Sequence, residues 1–217
     1  MKKFAFGLLV LIFAVSAAGG AFAADPFKVH KGGFGPKMKG LQLGMPMTWV
    51  EAVAWGSQYR FPVRIFFFQG PRIVFAIDIT GEEGKVTGWK IVDGTLQAEF
   101  ENKQELTLGE LFEELKRKGV DSANIGGITV RNDRVAFFEL LKGKHFDAES
   151  MPLADFVQAL VDTYKLGTVS GNARNGYDGQ NASEGWAVQI GPEFLNIPNG
   201  AWRVTMSAIS ISKGSFD

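Results

Sequence analysis

The sequence predicts an α+β fold: a largely antiparallel sheet with three amphipathic helices packed on one face. Three observations carry that prediction. Apolar residues recur at helical spacing in three stretches, at Met47/Val50/Ala54, Leu108/Leu111/Leu115 and Leu153/Phe156/Leu160. Between them lie short runs rich in Val, Ile and Phe, punctuated by tight-turn pairs such as Asp93-Gly94 and Asn132-Asp133. The strand runs follow each helix in groups instead of alternating with helices one to one, so hairpins rather than crossovers join them.

Residues 1–23 read as a cleaved signal peptide. Lys2 and Lys3 precede an apolar run from Phe4 to Ala18, and Ala21-Phe22-Ala23 supplies small residues where a signal peptidase reads. The apolar run is shorter than the ~20 residues a bilayer-spanning helix needs. The expectation is therefore export to the periplasm or beyond, with no transmembrane segment in the mature chain. Residues 24–40 read as a basic leader, broken by Gly32, Gly33, Gly35, Pro36 and Gly40 and carrying Lys28, Lys31, Lys37 and Lys39.

The segment 41–102 holds the first helix and a four-strand meander. Pro46 suits a first helical turn, and Thr48 with Glu51 has capping-box spacing as a second possible start, so the helix is placed over about 46–57. Met47, Val50 and Ala54 share its apolar face, with Trp49 and Val53 beside them. Strands follow at 61–68, 72–79, 86–92 and 95–101. In the second, Ile73, Phe75, Ile77 and Ile79 lie on one face, opposite Arg72 and Asp78.

The segment 103–217 adds two further helix-plus-strands units, packed with the first as one globule. Thr107 and Glu110 cap a helix whose stripe is Leu108, Leu111, Phe112 and Leu115; Glu113–Arg117 and Glu114–Lys118 are favourable pairs at i, i+4, and Gly119 ends it. Strands at 127–131 and 134–141 flank Asn132-Asp133. The third helix starts after Ser150, faces Phe156, Val157, Leu160 and Tyr164 to the core, and stops at Gly167. A polar loop over 168–184 leads to strands at 185–190 and 201–212, the last with a phase switch that suggests a bulge near Ala208. The three units are suggestive of an internal repeat.

Composition narrows function. Loss of Lys2 and Lys3 with the first 23 residues takes Lys+Arg from 23 to 21 against 23 Asp+Glu. That balance argues against a nucleic-acid partner, which selects a basic surface. There is no cysteine, which removes disulfides, thiol catalysis, cysteine-bound zinc and a lipid-acceptor thiol. No phosphate-loop, dinucleotide-binding, GxSxG, HExxH or SxxK pattern appears, so no cofactor and no catalytic residue is implied. His30 and His145 have no partner at ligand or triad spacing and read as solvated.

Two features stand above this background. The run TVSGNARNGYDGQNASEG (168–185) gathers Asn172, Arg174, Asn175, Tyr177, Asp178, Asn181 and Glu184 among four glycines, a composition able to contact a sugar, a cation or a partner's backbone. Phe66, Phe67 and Phe68 place aromatics on both faces of one strand. Either both faces are covered by helices, the favoured arrangement, or Phe66 and Phe68 form an exposed patch.

The stretch LQLGMPMTWVEAV (41–53) resembles the LGM-(S/T)-xx-(E/Q)-V helix start of the small envelope proteins of the SmpA/OmlA (BamE-like) group, and a start used in the β-lactamase-inhibitor-protein superfamily. Leu43, Gly44, Met45 and Val50 match. Pro46 stands where a capping Ser or Thr is usual, and Trp49 where an acidic or amide residue is usual. The resemblance implies helices on an antiparallel sheet and a role in binding other proteins. The resulting expectation is an exported, non-catalytic protein that binds a protein or envelope component, as an inhibitor or assembly factor. The alternatives are a periplasmic binder of a small polar ligand or glycan, or a hydrolase whose paired carboxylates leave no local motif.

Overall fold

A computed structural model describes residues 31–59, 63–79, 86–90, 107–192 and 202–209. The signal peptide, the first part of the leader with His30, the Asp93-Gly94 turn and the strand expected at 95–101 lie outside the described residues. Element order is β1 (Phe34–Met38), β2 (Leu41–Leu43), α1 (Trp49–Ser57), β3 (Val63–Gln69), β4 (Arg72–Ile79), β5 (Val86–Lys90), α2 (Leu108–Arg117), β6 (Ser122–Ile125), β7 (Ile128–Arg131), β8 (Arg134–Leu141), α3 (Leu153–Tyr164), β9 (Ser170–Asn172), β10 (Gly176–Asn181), β11 (Trp186–Pro192) and β12 (Trp202–Ala208).

The α+β architecture is as expected. Ten strands form one sheet in the order β5-β4-β3-β6-β7-β8-β12-β11-β10-β9, every described pairing being antiparallel. Each helix precedes one meander, and the three meanders lie side by side. A two-fold axis through the antiparallel β3–β6 pair would superpose β3-β4-β5 on β6-β7-β8 in order and direction. The third meander joins through its last strand, β12, so it breaks that relation.

Among the described residues one cluster of buried apolar side chains draws on all three helices and most strands. Alternate residues of β3 (Val63, Ile65, Phe67) are buried, and their cross-strand partners Ile79, Ile77 and Phe75 continue the layer. Helices α1 and α2 close over it where Trp49 and Phe112 meet Phe67, with ring centroids 5.4 and 5.7 Å from it. Trp49 and Phe112 are 5.6 Å apart and near perpendicular, so Trp49 meets both phenyl rings edge to face while Phe67 and Phe112 are tilted against each other. Helix α3 adds Phe156, which meets Phe146 at 5.5 Å.

Several local expectations are corrected. Helix α1 starts at Trp49, not near Pro46, because Thr48 and Glu51 form a full capping box while residues 44–47 hydrogen-bond along β8 and its turn. Its buried face is therefore Trp49, Ala52, Val53 and Gly56; Val50 and Ala54 are exposed. In β4 a bulge between Phe67 and Phe68 of the partner strand leaves Val74 as the extra residue, which turns Ile73 out of the Phe75 face to 42% exposure. Leader residues 34–38 form β1, with Met38 fully buried. Strand β6 is an addition: SANI is too short and polar to announce itself. On α2, Arg117 pairs with Glu114 instead of Glu113, whereas Glu114–Lys118 forms at 3.9 Å. Strand β12 ends at Ala208 and pairs regularly with β11 throughout, and Ile211 of the expected phase switch lies outside the described residues.

Candidate functional site

The sequence-selected polar residues do not converge. Residues 168–185 are mostly hairpin: β9 and β10 pair, and their turn is organised by Asn172, whose Oδ1 accepts the N–H groups of Arg174 and Asn175, each at 3.0 Å. At the other end of β10, Asn181 Oδ1 accepts from Ser183 Oγ (2.7 Å) and Glu184 N (3.1 Å), and Glu184 accepts the Trp186 indole N–H at 2.8 Å. Asp178 accepts from Gln189 across the strand pair at 3.2 Å, and Tyr177 is half-buried. Asn172 and Asn181 thus fasten the turns at the two ends of β10. Phe66 and Phe68, on β3, sit six strand spacings away, roughly 29 Å at ~4.8 Å each.

Phe66 does lie at a concavity. A groove of about 380 Å³ runs around the sheet end where β3 and β7 begin and β6 and β8 finish. Its floor on the outer sheet face is Phe66, Asn124, Glu139 and Leu141, and its wall on the helix side is Trp55, Tyr59 and His145. The saddle between them is Gly126-Gly127, the β6–β7 turn, with φ of +58° and +96°. A Cβ on Gly127 would stand 3.4 Å from the Glu139 carbonyl oxygen, so the turn needs glycine for its backbone and the groove needs it for width.

The aromatic wall is self-supporting. His145 stacks on Trp55 with centroids 5.4 Å apart and planes 5° from parallel, and Tyr59 leans on both at 4.5 and 4.9 Å. Trp55 is anchored by its indole N–H to the Lys39 carbonyl at 3.3 Å. His145 is 9% exposed, which overturns its reading as a solvated residue. The KGKHFD stretch looks basic, yet Phe146 and Ala148 are buried, so the loop folds inward instead of outward.

The electrostatics at the groove are specific. His145 Nδ1 accepts the Leu141 backbone N–H at 2.8 Å, so the neutral ring carries its proton on Nε2. Burial, and then the neighbouring Lys144 charge, pushes its pKa down from 6.5 to about 4. At neutral pH the ring is thus an uncharged donor, with its lone pair engaged by the backbone. Two further groove charges are paired: Arg64 donates to Asp78 across the β3–β4 pair at 2.7 and 3.0 Å, and Arg203 donates to Glu139 at 2.9 Å. Lys144 is exposed at the rim and makes no ion pair among the described residues. Among the described residues no three His, Asp or Glu side chains are grouped to hold a metal ion.

The outer sheet face carries a second feature. Phe68 and its cross-strand neighbour Ile73 both reach solvent, beside half-buried Phe66. Helices thus cover the Phe67 side, while Phe66 and Phe68 retain exposed surface. No helix among the described residues is long and apolar enough to cross a membrane.

Neither a family model, a curated protein nor a solved structure matches the chain.

The sequence reading missed Trp55, Tyr59, Gly126, Gly127, Lys144 and His145. The Gly-Gly pair before ITVR was the available signal. Two glycines at a strand end, where one suffices for a turn, mark a place kept free of side chains.

Proposed function

We propose that the chain is an exported, non-catalytic binding protein and that the sheet-end groove holds a small polar ligand. The observation that carries this reading is the groove itself. Its volume falls within the ~300–1,000 Å³ of small-molecule sites, and it joins a rigid aromatic wall to a few placed polar groups. Binding fits the chemistry better than turnover. The one histidine in the groove presents a donor and no free lone pair, and the two carboxylates near it, Asp78 and Glu139, are each held by an arginine. Export rests on the N-terminal pattern at Lys2 to Ala23.

The test is native mass spectrometry of the chain purified gently from its own envelope fraction, beside Phe66→Ala. A small-molecule adduct on the wild type, absent from a folded Phe66→Ala, supports the reading. A bare wild-type protein, folded and exported, would count against it.

The Phe68–Ile73 surface supports a second reading, in which a protein or envelope component docks on the outer face, as the BamE-like resemblance at Leu43–Val50 implies. Cross-linking in the native envelope discriminates: a dominant protein partner lost in Phe68→Ser/Ile73→Ser would favour docking over the groove.

A further inference from the structure

We infer that the groove recognises an oxyanion, a carboxylate or phosphate group on its ligand, seated between the His145 Nε2–H and the Lys144 ammonium. The inference rests on the groove being the binding site and names the chemistry it selects.

Three observations lead there. First, His145 is a donor of fixed direction. Its Nδ1 accepts the Leu141 N–H while the ring is stacked on Trp55 and against Tyr59, so exchanging its donor and acceptor edges would break the Leu141 hydrogen bond. Second, that donor is unanswered. The residue is 9% exposed and lines the groove, and Nε2 has no hydrogen-bond partner among the described residues. A donor with no protein partner gains from an acceptor delivered by a ligand. Third, the uncompensated charge at the groove is positive. Arg64 and Glu139 are each matched by a partner outside it, Asp78 and Arg203, leaving Lys144. A neutral acceptor would satisfy only His145; an oxyanion satisfies the N–H and the ammonium together, as a charge-assisted contact. A ligand cation would meet Lys144 and a ring edge that offers only a proton.

The experiment uses the full chain, labelled with ¹⁵N, at neutral pH. Benzoate, its uncharged analogue benzamide, and inorganic phosphate are titrated in turn. The readouts are the His145 Nε2 resonance and the Asn124, Gly126 and Gly127 amides. The expected result is that benzoate, phosphate or both shift these signals, with benzamide about tenfold weaker. Lys144→Gln, at an exposed position that leaves the fold alone, should weaken the anions about tenfold and leave benzamide unchanged; tenfold is the effect of ~1.4 kcal/mol. A response to phosphate alone assigns a phosphorylated ligand, and one to benzoate alone a carboxylate. Equal binding of benzoate and benzamide, or indifference to Lys144→Gln, overturns the oxyanion inference while the groove reading stands. No response to either anion overturns it too, and the native-ligand mass measurement then decides separately whether the groove binds anything.

Discussion

His145 should make the protein lose stability in a pH window where its carboxylates do not. Its folded-state pKa is about 4 against 6.5 for an unperturbed imidazole. Between those values the unfolded chain binds the proton and the folded chain does not, so stability falls as pH falls. Linkage puts the loss at about 2 kcal/mol by pH 5 and about 3 kcal/mol below pH 4. The charges facing the ring, Lys144 and Lys39, disfavour the imidazolium alongside burial, the Leu141 backbone contact offsets part of this in the other direction, and the nearby Glu139 is held by Arg203. The capping carboxylates Glu51 and Glu110 are held below their ordinary 4.5 by Thr48 and Thr107, so their contribution fades at lower pH. The assay is urea unfolding at pH 7 and pH 5, for the wild type and for His145→Asn. Asparagine can still accept the Leu141 N–H but does not titrate. It gives up the ring stack, so its baseline is lower, yet its stability should change about 2 kcal/mol less between the two pH values. His30 is common to both proteins and cancels. Equal pH responses would refute the argument, because they would mean His145 charges as readily in the folded chain as in the unfolded one.

Two further substitutions test the packing. Phe67→Ala removes a fully buried ring that touches Trp49, Phe75 and Phe112, and should cost roughly 3–5 kcal/mol in urea unfolding; a loss near 1 kcal/mol would show that α1 and α2 do not depend on it. Gly127→Ala forces a Cβ onto a φ of +96° against the Glu139 backbone and should cost roughly 1–3 kcal/mol. Gly70→Ala, at a positive φ with open space around it, is the control, and only the Gly127 change should also weaken groove binding.

What could be read from the chain was what local rules decide. The capping boxes at Thr48/Glu51 and Thr107/Glu110, the Asn132-Asp133 turn with both φ near +50°, and strands such as 72–79 and 134–141 follow from residues within a few positions of each other. The errors arose where distant pairing overrode a local pattern. Ile73 fits the Phe75 face by period two, but a bulge set by β3 turns it outward. Val50 fits a helical stripe, but the helix phase is fixed by Trp49 settling on Phe67. The polar run at 168–185 looked like a binding loop because Asn and Asp fasten turns with the same groups they would offer a ligand. The groove was invisible for a related reason. Its wall and floor come from α1, β3, β6, β8 and the segment after β8, and no spacing rule links Trp55 to His145.

The Leu141–His145 hydrogen bond joins the groove's stability to its selectivity. An imidazolium would hold an oxyanion more strongly than a neutral ring does, and a bound anion would ordinarily raise the histidine's pKa to obtain one. Here a proton on Nδ1 would face the Leu141 N–H, donor against donor, inside a clamp made by Trp55 and Tyr59. The ring therefore stays a neutral donor, and Lys144 alone supplies the charge. Lys144 is exposed, so that part of the attraction is screened with a Debye length of ~8 Å at physiological ionic strength, while the neutral Nε2–H contact carries no net charge to screen. Oxyanion affinity should then fall modestly with added salt and level off at the affinity of the Lys144→Gln variant. A fall well below that floor would mean that His145 had acquired the charge which the Leu141 contact denies it.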